Sequence, residues 1–156
     1  MNLADAVDKY QRLKIAGYRK ESSELKGKIV NAFKSQDCCS LLFSNEQQVA
    51  GLLDVFFDTG QIFSIGWVRK TDSKSPDGKK AGEIDVMTIK KPKGYVKGTS
   101  GGKKQVENIL NGRVAVWVCD GKLRNDGYGN WRTVYAKDII AITFGGSTVG
   151  IEIKSG

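Results

Sequence analysis

A chain of 156 residues with 40% apolar side chains has material for one core, at most one domain with a smaller appendage. It carries 25 Lys and Arg against 17 Asp and Glu and no histidine, so the commonest general base and metal ligand is missing and the charge favours a polyanionic partner. No run of about 18 apolar residues is present to cross a bilayer, and the N-terminal stretch MNLADAVDKYQRL lacks the apolar centre of a secretory leader, so no membrane partner and a cytoplasmic product are expected.

Leu3, Val7, Tyr10 and Leu13 recur at spacings of four and three with charged residues between them, one apolar stripe on a helix over residues 3–18. Leu25, Ile29, Ala32 and Phe33 mark a second short helix, weakened by Gly27. Residues 38–43, CCSLLF, suit either a short strand or a buried turn. Cys38 and Cys39 are adjacent and Cys119 is distant, which makes neither a disulfide framework nor a zinc spacing; reduced, partly buried thiols are expected. Ser44 followed by Gln47 has the form of a capping box, Val49, Leu52, Leu53, Phe56 and Phe57 supply a wide apolar face, and Gly60 ends the helix. Residues 1–60 are therefore expected as a helical N-terminal region. Its apolar faces would pack on the rest of the chain or on a partner, so a homo-oligomer through these helices is possible.

After Gly60 the period changes to two. Phe63, Ile65 and Trp67 alternate with Ser64 and Gly66, and Ser75-Pro76-Asp77-Gly78 has turn chemistry. Ile84, Val86 and Thr88 then alternate with Asp85, Met87 and Ile89 until Pro92, which cannot donate to a ladder. Residues 93–105 are expected as a long Gly/Lys loop. Val114, Val116 and Val118 alternate with Ala115, Trp117 and Cys119. After the 120–130 loop a strand is expected from Trp131, then one in which Ile140, Ile142 and Phe144 share a face, and, past Gly145-Gly146, a last strand carrying Val149, Ile151 and Ile153. The fold class expected is α+β: a helical layer followed, over residues 61–156, by a small antiparallel barrel of five to six strands, closed or nearly so.

The charge is not spread along this pattern. Residues 69–104 hold eleven Lys/Arg against four Asp/Glu, and both flanks are close to neutral. Such a cluster is the footprint of phosphate-backbone binding. Candidate contacts are Arg69, Lys70, Lys79, Lys80, Lys90, Lys91, Lys93, Lys97, Lys103 and Lys104, with Arg124 on the far loop; Tyr95, Tyr128 and Trp131 are candidate stacking platforms. Trp67 and Trp117, in alternating strands, are expected in the core. KGTSGGKKQ is not a P-loop, because Gly102-Lys103 is followed by Lys104 and the position five before Gly102 is Lys97; Gly98, Gly101 and Gly102 could still bring backbone N–H groups to a phosphate. No carboxylate cluster stands out. No catalytic residue, metal site or cofactor is expected, and the protein is not expected to be an enzyme.

The stretches WVRK (67–70), SPDGKK (75–80), GEIDVMTIKK (82–91), GYVKG (94–98), VAVWVCD (114–120), WRTV (131–134) and AKDIIAI (136–142) resemble the SH3-like β-barrel proteins of tailed phages, crAss-like ones included, over residues 61–153. Residues 1–60 have no counterpart in that pattern, and the 120–130 loop is longer than it. The resemblance implies the barrel's strand order, a short 3₁₀ turn near Asp138 before the last strand, and a phage origin; it implies no activity. The expected function is binding of DNA or RNA with little sequence specificity in the host cytoplasm, with a steep loss of affinity in salt. The alternative is a virion or assembly component (connector, decoration or packaged protein) that contacts a phage structural protein.

Overall fold

The structure, a computed structural model, describes residues 1–72, 78–91, 99–119 and 131–154, with residues 99–104 described by backbone alone. In order these are α1 (Leu3–Ile15), α2 (Arg19–Lys34), β1 (Ser40–Phe43), α3 (Glu46–Asp58), β2 (Phe63–Val68), β3 (Ile84–Ile89), α4 (Thr99–Leu110), β4 (Arg113–Trp117), β5 (Trp131–Tyr135), a 3₁₀ turn (Ala136–Asp138), β6 (Ile139–Phe144) and β7 (Ser147–Ile153). The protein is α+β, with three helices N-terminal to most of a five-stranded sheet.

The three stripes read from the sequence all turn inward. Leu3, Val7 and Tyr10 of α1, Ile29 and Phe33 of α2, and Val49, Leu52, Leu53, Phe56 and Phe57 of α3 are buried in the chain's own core. Phe56 lies at the centre, stacked on Phe144 of β6 at 4.5 Å and edge-on to Phe33 of α2 at 4.8 Å. Burial of each such side chain is worth about 1.5–3 kcal/mol. α3 starts one residue later than the expected box: Asn45 Oδ1 accepts from the Gln48 N–H, and Gln48 Oε1 accepts from the Ser44 N–H. Gly145 and Gly146, at φ 59° and 84°, supply the two positive dihedrals that a two-residue β6–β7 hairpin requires.

The sheet has the order β1-β7-β6-β2-β3 and is not closed; its edge strand β1, from the undecided CCSLLF segment, runs parallel to β7. β4 and β5 pair as a separate ribbon, joined to β3 by one bridge between Ile89 and Val118. Among the described residues this corrects the expected single barrel, closed or nearly so. Lys90 N–H donates to Trp117 C=O, and the backbone of Ala115 is bonded by the Gln105 side chain of α4.

That helix is a second correction, since residues 99–105 were expected as loop. Gly101, Gly102 and the lysines hide the helix, which is fixed from its other end, where Ile109, Gln105 and Asn108 are buried. A third correction concerns Ile140. β2 pairs Gly66 with Ala141 but Trp67 with Ile139, so Ile140 is the extra residue of a bulge and is 39% exposed while Ile139 and Ile142 are buried.

Candidate functional site

The turn end of the β2–β3 hairpin gathers four of the candidate cations, and the fold matches each with an acid. Arg69 Nη1 lies 2.8 Å from Asp85 Oδ2 and Lys79 Nζ 2.6 Å from Asp85 Oδ1. Lys70 Nζ is 3.4 Å from Asp138 Oδ2 and Lys80 Nζ 3.8 Å from Asp72 Oδ2. The geometry follows from strand alternation: Asp85 stands opposite Trp67 in the ladder, so Arg69, two residues on, reaches it from the same face. The Arg69 guanidinium also lies over the Trp67 ring at 5.1 Å, and Lys70 Nζ over the Tyr135 ring at 4.6 Å. Partial burial alone would raise the Asp85 carboxyl pKa, but hydrogen bonds from Lys79 and Arg69 and the Val86 N–H outweigh it and hold it below the ordinary carboxylate value. With Glu83 accepting from the Lys80 N–H, four cations and four carboxylates meet here, and the hairpin end is close to neutral.

Lys90 and Lys91 lie at the other end of β3, roughly 20 Å from the turn at the rise of an extended strand. Lys90 is exposed, and its backbone is tied to β4. The candidate cations therefore do not share one end of the hairpin. Lys103 and Lys104 fall in the N-terminal half of α4. Lys93, Tyr95, Lys97, Arg124 and Tyr128 lie outside the described residues. Trp131 is half-buried, edge-on to Trp117 at 5.5 Å and 6.1 Å from Phe57; the ring is packed against the core. Trp67 and Trp117 also pack on the core, as expected of their strands.

A polar cluster inside the helical layer is absent from the sequence reading. Asp54, fully buried on α3, and Asp58 one turn later both accept from Lys14 Nζ of α1, the first at 2.7 Å. Tyr10 Oη donates to Asp58 at 2.7 Å, and Gln11 Nε2 to Asp54 at 3.2 Å. Burial, then the charge of Asp58 and its hydrogen bond, push the Tyr10 phenol above its ordinary range, so it serves as a donor. Burial would lower the Lys14 pKa, but Asp54 and Asp58 outweigh it and raise it. The signal was in the sequence: Asp54 is the one charged residue within the apolar run VAGLLDVFF. A carboxylate on a core-facing stripe must find a partner.

No family model, curated protein or solved structure matches this chain. Among the described residues no group of three or more His, Cys, Asp or Glu is placed to hold a metal ion, and no helix is long and apolar enough to cross a membrane.

Proposed function

We propose that the protein is a non-enzymatic nucleic-acid-binding protein that holds the phosphate backbone with little sequence preference, and that its contact is the stretch 90–104 rather than the whole basic region. One observation carries this narrower footprint: the sequence KKPKGYVKGTSGGKK concentrates six lysines with no acid among its own residues, and Arg69, Lys70, Lys79 and Lys80 of the hairpin end lie beside carboxylates. The stretch leaves the end of β3 and runs into the N-terminus of α4, whose dipole has the same sign. Lys90, Lys91, Lys93, Lys97, Lys103 and Lys104 are the proposed phosphate contacts, with Tyr95 the stacking candidate. A labelled oligonucleotide titrated between 50 and 200 mM salt tests it. If all six engage a duplex, log K falls against log salt with a slope of roughly −5. Replacing the six by glutamine abolishes binding, while Arg69, Lys79 and Lys80 to glutamine leave it within about twofold, because those cations are already paired. Absence of wild-type binding at 50 mM salt overturns the proposal.

The strand succession also supports the resemblance to phage SH3-like barrels. The succession that supports it is β6-β2-β3, then the Ile89–Val118 bridge, then β4-β5 and the 3₁₀ turn before β6. We therefore propose a phage origin, with action in the host cytoplasm or in the particle.

A second reading, contact with a phage structural protein, is favoured by the outer face of the sheet. Val86 (61% exposed) stands opposite Gly66 and Ile84 (60%) opposite Val68, and the half-exposed Ile140 lies beside Gly66, so apolar side chains gather on this face. Val86→Asp would release the protein from purified particles under this reading and leave oligonucleotide binding intact.

A further inference from the structure

β1 ends the five-stranded sheet on one side and pairs with β7 alone. Gly150 N–H donates to Cys39 C=O and Lys154 N–H to Phe43 C=O, so the odd-numbered residues of this strand turn their backbone groups toward β7. The N–H and C=O groups of Ser40 and Leu42 therefore point away from the sheet. Both residues are exposed, Leu42 to 61%. Sheets commonly guard such an edge with lysine, proline or a bulge, and SLLF has none of these. Residues 38–45 carry no charge at all.

We infer that this edge pairs with the same edge of a second copy of the chain, antiparallel about a two-fold axis beside Leu41, joining the two sheets into one. Across that axis Ser40 of each copy stands opposite Leu42 of the other and exchanges both backbone bonds with it, so every open group of the two strands is used. The neighbouring registers fail. One centred on Ser40 would call on Cys38, which stands at φ 64° with its N–H already given to Thr148. One centred on Leu42 would call on Ser44, whose N–H goes to Gln48 Oε1. Charge selects the same place. Copies of a chain of net charge +8 repel one another, and here they meet through the uncharged residues 38–45. The pairing does not draw on the helical stripes, which are buried in the chain's own core. Because the strand is short, the dimer depends on concentration.

The test uses the full-length protein freed of nucleic acid, so that no polyanion bridges two copies, and follows its mass by sedimentation equilibrium from about 1 μM to 1 mM. A monomer–dimer equilibrium is expected. Leu42→Pro removes only an N–H that β7 does not use, and should weaken dimerisation at least about tenfold with an unchanged circular dichroism spectrum. Mild oxidation reads the register separately, in a background where Cys38, Cys39 and Cys119, all exposed rather than partly buried, are replaced by serine. There Leu41→Cys should give a covalent dimer, because an antiparallel pair without mutual hydrogen bonds sets its Cα atoms about 4.5 Å apart, within disulfide range. Leu42→Cys should not, since Leu42 of one copy faces Ser40 of the other. Wild type that stays monomeric throughout, a folded Leu42→Pro that dimerises as well as wild type, or a crosslink from Leu42→Cys with none from Leu41→Cys overturns the inference.

Discussion

Lys14 is the residue on which the helical layer is registered. Its ammonium sits between a fully buried carboxylate and a nearly buried one, and removing it leaves Asp54 buried without its ammonium partner. Lys14→Met should therefore destabilise the fold by about 3–5 kcal/mol, read as a lower urea midpoint, and adding Asp54→Leu should return much of the loss. Lys14 and Tyr10 both have folded pKa values raised above their unfolded ones, so the stability they supply is complete below about pH 10 and falls as pH rises beyond it. Urea midpoints at pH 8 and 10.5 check this: the wild type should drop more than a Lys14→Met, Tyr10→Phe double variant.

Among the elements, the α1–α3 crossing has the least room. A Cβ on Gly51 would stand 2.7 Å from Cγ1 of Val7, a fully buried side chain that cannot swing away. Gly51→Ala gains roughly 1 kcal/mol of helix propensity and loses more to overpacking, for a net cost of about 1–2 kcal/mol. Val7→Ala in the same chain should reverse the sign of the Gly51→Ala effect, which chemical denaturation of the four variants would show. At the hairpin end Asp85 has a lowered pKa, so its contribution is present above the unfolded carboxyl pKa of about 3.9 and is lost as pH falls through the lower folded value. Asp85→Asn should cost up to about 1 kcal/mol at pH 6 and progressively less as acid protonates the wild-type carboxyl, read from denaturant midpoints across the acid range.

For the whole molecule, net charge and effective charge part company. The basic excess of residues 69–104 is a property of the chain, but Asp138, from a remote 3₁₀ turn, and the acids of the hairpin itself cancel four of its cations. The salt slope of oligonucleotide binding should accordingly reflect about six contacts and not ten. A slope near −9, or equal losses from the two sets of glutamine substitutions, would return the hairpin end to the footprint.

Local chemistry was legible in the sequence. The stripes of α1 and α3, the alternation of β2, β3 and β4 and the Gly145-Gly146 hairpin all follow from side-chain period and backbone dihedrals, which neighbouring residues determine among themselves. Partners distant along the chain were not legible. Whether Arg69 is free or bonded to Asp85, whether Ile140 faces in or out at its bulge, whether Gln105 lies in loop or helix, and whether the sheet closes depend on which groups the packed chain brings within about 3 Å. A sequence states which groups need partners; only the assembled tertiary structure decides which partners they obtain.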